Sequence, residues 1–453
     1  MHAKLAFPYP SAIIKILSVL SSDYRITAAS QRLNGLPSLN LILYFYCESN
    51  IMSQHLFTQV ELAPRDPILG LNEAYNADTR GNKVNLGVGV YYDANGKLPL
   101  LKAVKEAEAT RISAAPARGY LPIEGISAYD QAVQTLLFGQ DAPLLQAGRV
   151  ATFQALGGTG GLKIGADFLK RIQPNSKVLI SDPSWENHRA LFEAAGFTVE
   201  NYPYYDASTR GVNFPALLAS FQAATAGTIV VLHACCHNPT GADLTVEQWT
   251  EIITVLKARN LVPFLDIAYQ GFGDGIKEDA AALDLFAESG LNFFISSSFS
   301  KSFSLYGERV GALSVVTDSK DETTRVTSQI KRVIRTNYSN PPTHGATVVA
   351  TVLNTPALRA MWETELAEMR ERIRAMRVGL VAGLQAAGVT QDFSFVTRQR
   401  GMFSYSGLTA QQVDRLREEF AIYAVSSGRI CVAALNDQNL GYVSQAIATV
   451  VKA

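Results

Sequence analysis

Residues Phe294–Gly311 read FISSSFSKSFSLYGERVG. A lone lysine, Lys301, stands among serines directly after an apolar run (Leu291, Phe293, Phe294, Ile295), and Arg309 follows. An ammonium at the tip of a buried strand has to be compensated or put to use. The run before it, FFISSS (293–298), is one of several: KVLIS (177–181), TIVVLH (228–233), LVPFLDIA (261–268) and VGALSVV (310–316) also read as strands. Most are continuously apolar, as strands are when both sheet faces are covered. Between them lie helical patterns, GGLKIGADFLKRI, ENHRALFEAAG and TVEQWTEIITVLKARN. The last places Trp249, Ile252, Ile253 and Leu256 on one face. This alternation predicts an α/β fold with a mostly parallel, doubly wound sheet. A long helical pattern covers 356–388. After it, the strand-like FSY (403–405) and RICVAAL (429–435) flank the helix-like TAQQVDRLREEF. These predict a smaller α+β domain, completed by the segment around 65–98.

The chain has 453 residues, 47% hydrophobic and 18% charged, enough for an ample core. Forty basic and forty acidic residues balance, which argues against a general nucleic-acid or membrane-surface binder. The cysteines Cys47, Cys235, Cys236 and Cys431 have no metal-ligand spacing with a histidine pair. They read as reduced thiols of a cytosolic protein, and no metal is expected. Residues 1–51 differ from the rest. They hold only Asp23 and Glu48 as acids, and their apolar runs IIKILSVL and LNLILYFYC are too short to span a bilayer. Met52 begins MSQHLFTQVELAPRDP, which reads as an ordinary N-terminus. Residues 1–51 are therefore expected to be an extension from a misplaced start or a disordered leader, with a transit peptide as the alternative.

Ligands of open α/β sheets sit at the carboxyl ends of the strands. Taken in order, those ends form one constellation. Gly157, Gly158 and Thr159 lead into a helix, whose free N–H groups suit an anion. SDPSWENH offers Trp185 and His188, and HACCHNPTG offers Asn238 in a turn. LVPFLD ends in Asp266, with Tyr269 close behind. A carboxylate there is costly to bury without a partner, and a cationic ring nitrogen would serve. Ser298, Ser300, Lys301 and Arg309 close the set. Together these groups match a phosphate (Gly158, Thr159, Ser298, Ser300, Arg309), a flat ring (Trp185), a pyridinium (Asp266), a phenolic oxygen (Asn238, Tyr269) and an aldehyde (Lys301). Those are the features of pyridoxal 5'-phosphate. A lysine of depressed pKa condenses with the aldehyde, and the carboxylate keeps the ring an electron sink.

In SFSKSFSLYGERVG, HNPTG, DIAYQGF, GGTG, SNPP and SSGRICVA the chain resembles the class I, fold-type I pyridoxal-phosphate aminotransferases of the aspartate and aromatic amino-acid branch. The resemblance runs from about Met52 to the C-terminus. RGYLPIEG, SDPSWENH, LDIAYQGFG and FSLYGERVG look most like bacterial tyrosine aminotransferases. The resemblance implies a large domain (99–368) with a mostly parallel seven-stranded sheet, a small domain (65–98 and 369–453) and an N-terminal arm (52–64). It implies that Lys301 bonds the cofactor and shuttles the Cα proton. Asp266 would pair with the pyridinium, His188 would orient Asp266, and Trp185 would stack on the ring. Tyr269 and Asn238 would reach the phenolic oxygen. Tyr120 would reach the phosphate of the neighbouring subunit of a homodimer. Arg429 would clamp the substrate α-carboxylate, and Arg335 would cross from the partner to a side-chain carboxylate. Gly89 would lie on a closing segment, and Phe403 would line the pocket. Planar guanidinium suits both clamps, since it meets a carboxylate bidentately.

Tyr92 and Leu98, expected at the pocket mouth, favour aromatic substrates, while Thr159 and Asn340 look more like the aspartate branch. The expected activity is ping-pong transamination of tyrosine, phenylalanine, aspartate and glutamate with 2-oxoglutarate or oxaloacetate. A dedicated aspartate aminotransferase is the near alternative. A pyridoxal-phosphate lyase or decarboxylase and a non-catalytic regulator of the same fold are the distant ones.

Overall fold

The computed structural model describes residues 56–64, 66 and 68–452. The expected extension at 1–51 lies outside them. Residues 56–64 of the expected arm are exposed. Asp66–Ala453 forms one compact unit. Its centre is a sheet of seven strands: β1 (Val150–Leu156), β2 (Lys177–Asp182), β3 (Thr198–Pro203), β4 (Ile229–His233), β5 (Val262–Ile267), β6 (Phe293–Ser298) and β7 (Val310–Val316). Their spatial order is β1-β7-β6-β5-β4-β2-β3. The pairs β6–β5, β5–β4, β4–β2 and β2–β3 are parallel. Only β7 runs against its neighbours, β1 and β6.

The continuous apolar runs are explained by two cores, one on each sheet face. In β5, Leu265 and Ile267 join one core while Phe264 joins the other. In β4, Val230 and Leu232 face the first, Ile229 and Val231 the second. Strand side chains alternate between faces, so a sheet covered on both sides needs apolar residues at every position. β3, which had not been read as a strand, is an edge strand. Its sequence TVENYP is largely exposed and ends in proline, so the apolar signal is weak.

Helices cover both faces. Those used below are α1 (Gly157–Ile172), α2 (Glu186–Ala194), α3 (Val246–Ala258), α4 (Lys320–Asn337) and α5 (Pro356–Ala386). α3 starts on a capping box, with Thr245 Oγ1 accepting from Gln248 N and the Gln248 side chain returning to Thr245 N. α5 buries Trp362, Leu366, Met369, Ile373, Met376, Leu380 and Leu384 along one stripe, as the periodicity predicts. Two short sheets join distant parts of the chain. Val84–Asn85 pairs in parallel with Ile422–Tyr423, and Phe403–Tyr405 pairs antiparallel with Arg429–Cys431. The expected strand over 429–435 therefore stops at Cys431, and Val432–Ala434 turns into a 3-10 helix. There the carbonyls of Ala433 and Leu435 accept from the Arg372 guanidinium instead of a sheet neighbour. Among the described residues, Cys235, Cys236 and Cys431 are free and buried, and no helix is long and apolar enough to cross a membrane.

Candidate active site

The carboxyl edge of the sheet opens into a cavity of about 280 Å³. Sheet register explains who meets there. His233, Asp266 and Ser296 are paired across β4, β5 and β6, which brings the ends of these strands level. β7 runs the opposite way, so its first residue, Val310, is level with Leu156, the last of β1. That reversal carries Arg309 to the same edge as Gly158, Ser298 and Lys301. The cavity is lined by Gly158, Thr159, Trp185, Asn238, Asp266, Tyr269, Ser298, Ser300, Lys301 and Arg309 from the expected cofactor set, and by Gly89, Phe403 and Arg429 from the expected substrate set.

Asp266 is buried, and its Oδ2 accepts from His188 Nε2 at 2.9 Å. The direction of the chain behind it can be worked out. Asn238 N–H donates to His233 Nδ1 (3.4 Å), so the His233 proton sits on Nε2 and faces Ser184 Oγ (3.3 Å). Ser184 then donates its own proton to His188 Nδ1 (3.0 Å), leaving Nε2–H of His188 for Asp266. Burial pushes His233 well below the ordinary histidine pKa, which keeps it neutral. Burial alone would raise the Asp266 pKa. The hydrogen bond from His188 and the nearby Lys301 charge outweigh it and hold the carboxyl below its usual range.

Lys301 Nζ lies 5.0 Å from the centre of the Tyr269 ring. Burial pushes its pKa down to about 8; Asp266 opposes this, and Arg309 and Arg429 add to it. About a tenth of the amine is therefore free at pH 7, far more than for an ordinary lysine. Burial raises the Tyr269 pKa far above the ordinary value, so its hydroxyl keeps its proton. Asn238 Nδ2 approaches that hydroxyl at 3.5 Å.

Facing this group is Arg429, 1% exposed. It donates to Asn238 Oδ1 (3.2 Å) and Gly87 O (2.6 Å), and its Cζ lies 4.3 Å from the centre of the Phe403 ring. Its buried Nε has no hydrogen-bond partner. Phe403 also stands edge-on to Tyr269 at 5.9 Å, and Gly89 packs against its ring.

The donor set fits pyridoxal 5'-phosphate. Gly158 lies in the first turn of α1 at the cavity, and a Cβ there would come within 3.2 Å of Ser298 Cβ, so glycine lets the helix N-terminus, whose N–H groups suit an anion, sit close to that strand end. Ser298, Ser300 and Arg309 surround the same point. Lys301, Arg309 and Arg429 face one carboxylate, Asp266, which suits a ligand carrying a phosphate and a carboxylate.

His188 does not line the cavity but stands behind Asp266, where it was expected. Tyr120 is 96% exposed and Arg335 is exposed; neither lines this chain's cavity. Arg335 Nη1 is bonded to Ser339 Oγ. Tyr92 and Leu98 are not at the mouth of this cavity. Tyr92 lines a neighbouring one with Asn95 and Tyr442, and Leu98 is 48% exposed. Val88, Gly89 and Val90 line the cavity in succession, and the next residue, Tyr91, donates its N–H to the Tyr306 hydroxyl. Ile68, Val88, Leu162, His233, Cys235 and Tyr306 line the cavity and were missed. His233 and Tyr306 lie inside motifs already singled out, HACCHNPTG and SLYGERVG. Ile68 carries no local signal.

Residues 81–447 match the family model described as aminotransferase class I and II. The chain belongs to this family and is an aminotransferase, a class that works with pyridoxal phosphate. It is 70% identical over 395 residues to an aspartate aminotransferase of Pseudomonas aeruginosa, covering 87% of this chain and 99% of that one. It is 55% identical over 397 residues to the aromatic-amino-acid aminotransferase of Escherichia coli, covering 87% and 100%. Among solved structures, the aromatic-amino-acid aminotransferase of Burkholderia pseudomallei, covalently bound to pyridoxal phosphate, superposes with a TM-score of 0.86 at 70% identity, covering 87% and 99%. The seven-stranded, mostly parallel sheet is that of the fold-type I enzymes, as the resemblance implied.

Proposed function

We propose that this aminotransferase moves amino groups between aromatic amino acids (tyrosine, phenylalanine), aspartate or glutamate and the acceptors 2-oxoglutarate or oxaloacetate, one substrate leaving before the next binds. The observation that carries it is the placement of Lys301, Asp266 and Arg429 in one cavity. Pyridoxal phosphate, when bound, supplies an aldehyde and an electron-withdrawing ring. Gly158, Thr159, Ser298, Ser300 and Arg309 hold its phosphate, with Tyr120 reaching in from the neighbouring subunit. Trp185 covers the ring face, and Asn238 and Tyr269 meet the phenolic oxygen. Asp266, kept ionised by His188, holds a proton on the ring nitrogen. Lys301 Nζ would hold the cofactor at its aldehyde carbon and, as a free amine when the substrate amine has taken its place, would accept the proton from the substrate Cα. Arg429, which lines the cavity, binds the α-carboxylate. Phe403 and Gly89 shape the space for the side chain.

In this reading the protein is a cytoplasmic homodimer. Arg335 of each subunit serves the other's side-chain carboxylates. A small domain (65–98 and 369–453) closes on a large one (99–368) and excludes water. A second reading, a dedicated aspartate aminotransferase, is favoured by the name of the Pseudomonas aeruginosa relative and by Thr159 and Asn340.

Turnover of phenylalanine, tyrosine and aspartate, measured side by side, separates the two; no activity on phenylalanine or tyrosine sinks the first. One amino acid without an oxo acid should yield one equivalent of product per site and then stop; continued product formation means a lyase or decarboxylase. Arg335→Leu should cut kcat/KM for aspartate at least about tenfold more than for phenylalanine, because a dicarboxylate loses its charged partner. Equal losses would make Arg335 structural.

A further inference from the structure

α5 carries a guanidinium, Arg377, that is 2% exposed and does not line the cavity. Its hydrogen bonds go to backbone carbonyls: Val396 O at 2.9 Å, Gly401 O at 2.8 Å and Phe403 O at 2.6 Å. Burial lowers its pKa to about 10, so it stays charged at neutral pH. A buried cation costs several kcal/mol unless its donors are satisfied. Here the donors are spent on a single bend of chain, and the rigid fork of arginine fixes several acceptors at once in a way that lysine cannot.

That bend is held from the other side as well. A Cβ at Gly401 would lie 2.5 Å from Cys236 Cβ, so the backbone touches the loop that carries Asn238. Arg400 N–H donates to Gly241 O at 2.7 Å, in the same loop. The segment is thus wedged between α5 and the HACCHNPTG loop. At its end stands Phe403, whose ring lies under Arg429, edge-on to Tyr269 and against Gly89.

We infer that Arg377 is a positioning residue for substrate recognition: from outside the cavity it holds the Gly401–Phe403 backbone, and so places the Phe403 ring against the Arg429 guanidinium. It acts on binding rather than on proton transfer, because no hydrogen bond links it to Lys301 or Asp266. The inference rests on the reading of Phe403 and Arg429 as substrate groups.

The test uses holoenzyme with Arg377→Lys, which keeps the charge, and Arg377→Gln, which keeps two donors. Dissociation of 3-phenylpropionate, an aromatic acid with no amine to react, is read from the cofactor absorbance. KM and kcat are measured for phenylalanine and aspartate, together with the pH midpoint of the cofactor absorbance. Both variants should weaken 3-phenylpropionate and raise KM for both amino acids by about tenfold, with kcat changed less than about threefold and the pH midpoint unmoved. In a Phe403→Ala background, Arg377→Lys should add almost nothing further, since the two act as a unit. Additive effects, or a lower melting temperature with unchanged affinity, would reduce Arg377 to a structural group. A shifted pH midpoint with unchanged affinity would assign it to the cofactor side. If Phe403→Ala alone leaves affinity and KM unchanged, the reading of the pocket falls, and this inference with it.

Discussion

Behind Asp266 the site is several layers deep: His188, Ser184, His233 and the Asn238 amide form one directed chain of hydrogen bonds. Across the cavity, Arg429 is also buried, yet its Nε is unpaired, its aromatic neighbour hangs on a bend pinned by Arg377, and a further expected group, Arg335, is exposed. One side has its hydrogen bonds closed, and the other keeps a donor without a partner. The contrast follows from what each side has to do. Chemistry on a bound ring needs charges fixed in advance. Recognition of a changing side chain is better served by groups that are free until the substrate arrives, because an unpaired donor is satisfied only in the complex.

Removing the amine should break the first side outright. Lys301→Ala is expected to lower kcat by roughly 10²–10⁴-fold or more, and to abolish the resting absorbance of the lysine-bound cofactor; rapid turnover by this variant would refute the scheme. On the second side, Arg429→Leu should weaken every amino-acid substrate by about 2–5 kcal/mol while leaving the resting spectrum intact. A spectrum that changes as much as the affinity would mean that the two sides are not separable.

The smallest effect concerns pH and sharpens the electrostatics of the first side. The Lys301 pKa is lowered to about 8, so the amine is mostly protonated below that value and free above it. Cofactor-free enzyme should therefore react with an aldehyde reagent faster as pH rises, with a midpoint near 8. Asp266 is the group that raises the pKa of Lys301. Asp266→Asn should move the midpoint to lower pH, and a move to higher pH would show that the two side chains are not electrostatically coupled as described.

Much of this was legible in the residues themselves. All five of the apolar runs 177–181, 228–233, 261–268, 293–298 and 310–316 became strands within one residue of their expected limits, and TAQQVDRLREEF and the long pattern after 356 became helices. The features missed have physical reasons. β3 is an exposed edge whose alternation is diluted by polar residues. RICVAAL is apolar after its arginine, but past Cys431 it turns into a 3-10 helix whose Ala433 carbonyl, like that of Leu435, accepts from Arg372, far off in sequence. Tyr92 is apolar and close to Val90 in sequence, yet it lines another cavity.

The sequence by itself determined which residues could do the chemistry, because each stands directly after an apolar run and such positions emerge at a sheet edge. It also determined the two-sided burial of the sheet, since that is written in composition strand by strand. Only the tertiary structure decided which groups share one cavity. The reversed direction of β7 carries Arg309 back to the edge shared by Gly158 and Lys301, and Ile68 and Gly89 arrive from the far end of the chain. Nothing local encodes a register or a long-range contact. Both are set when two covered faces must pack at once, and few arrangements of the strands satisfy both.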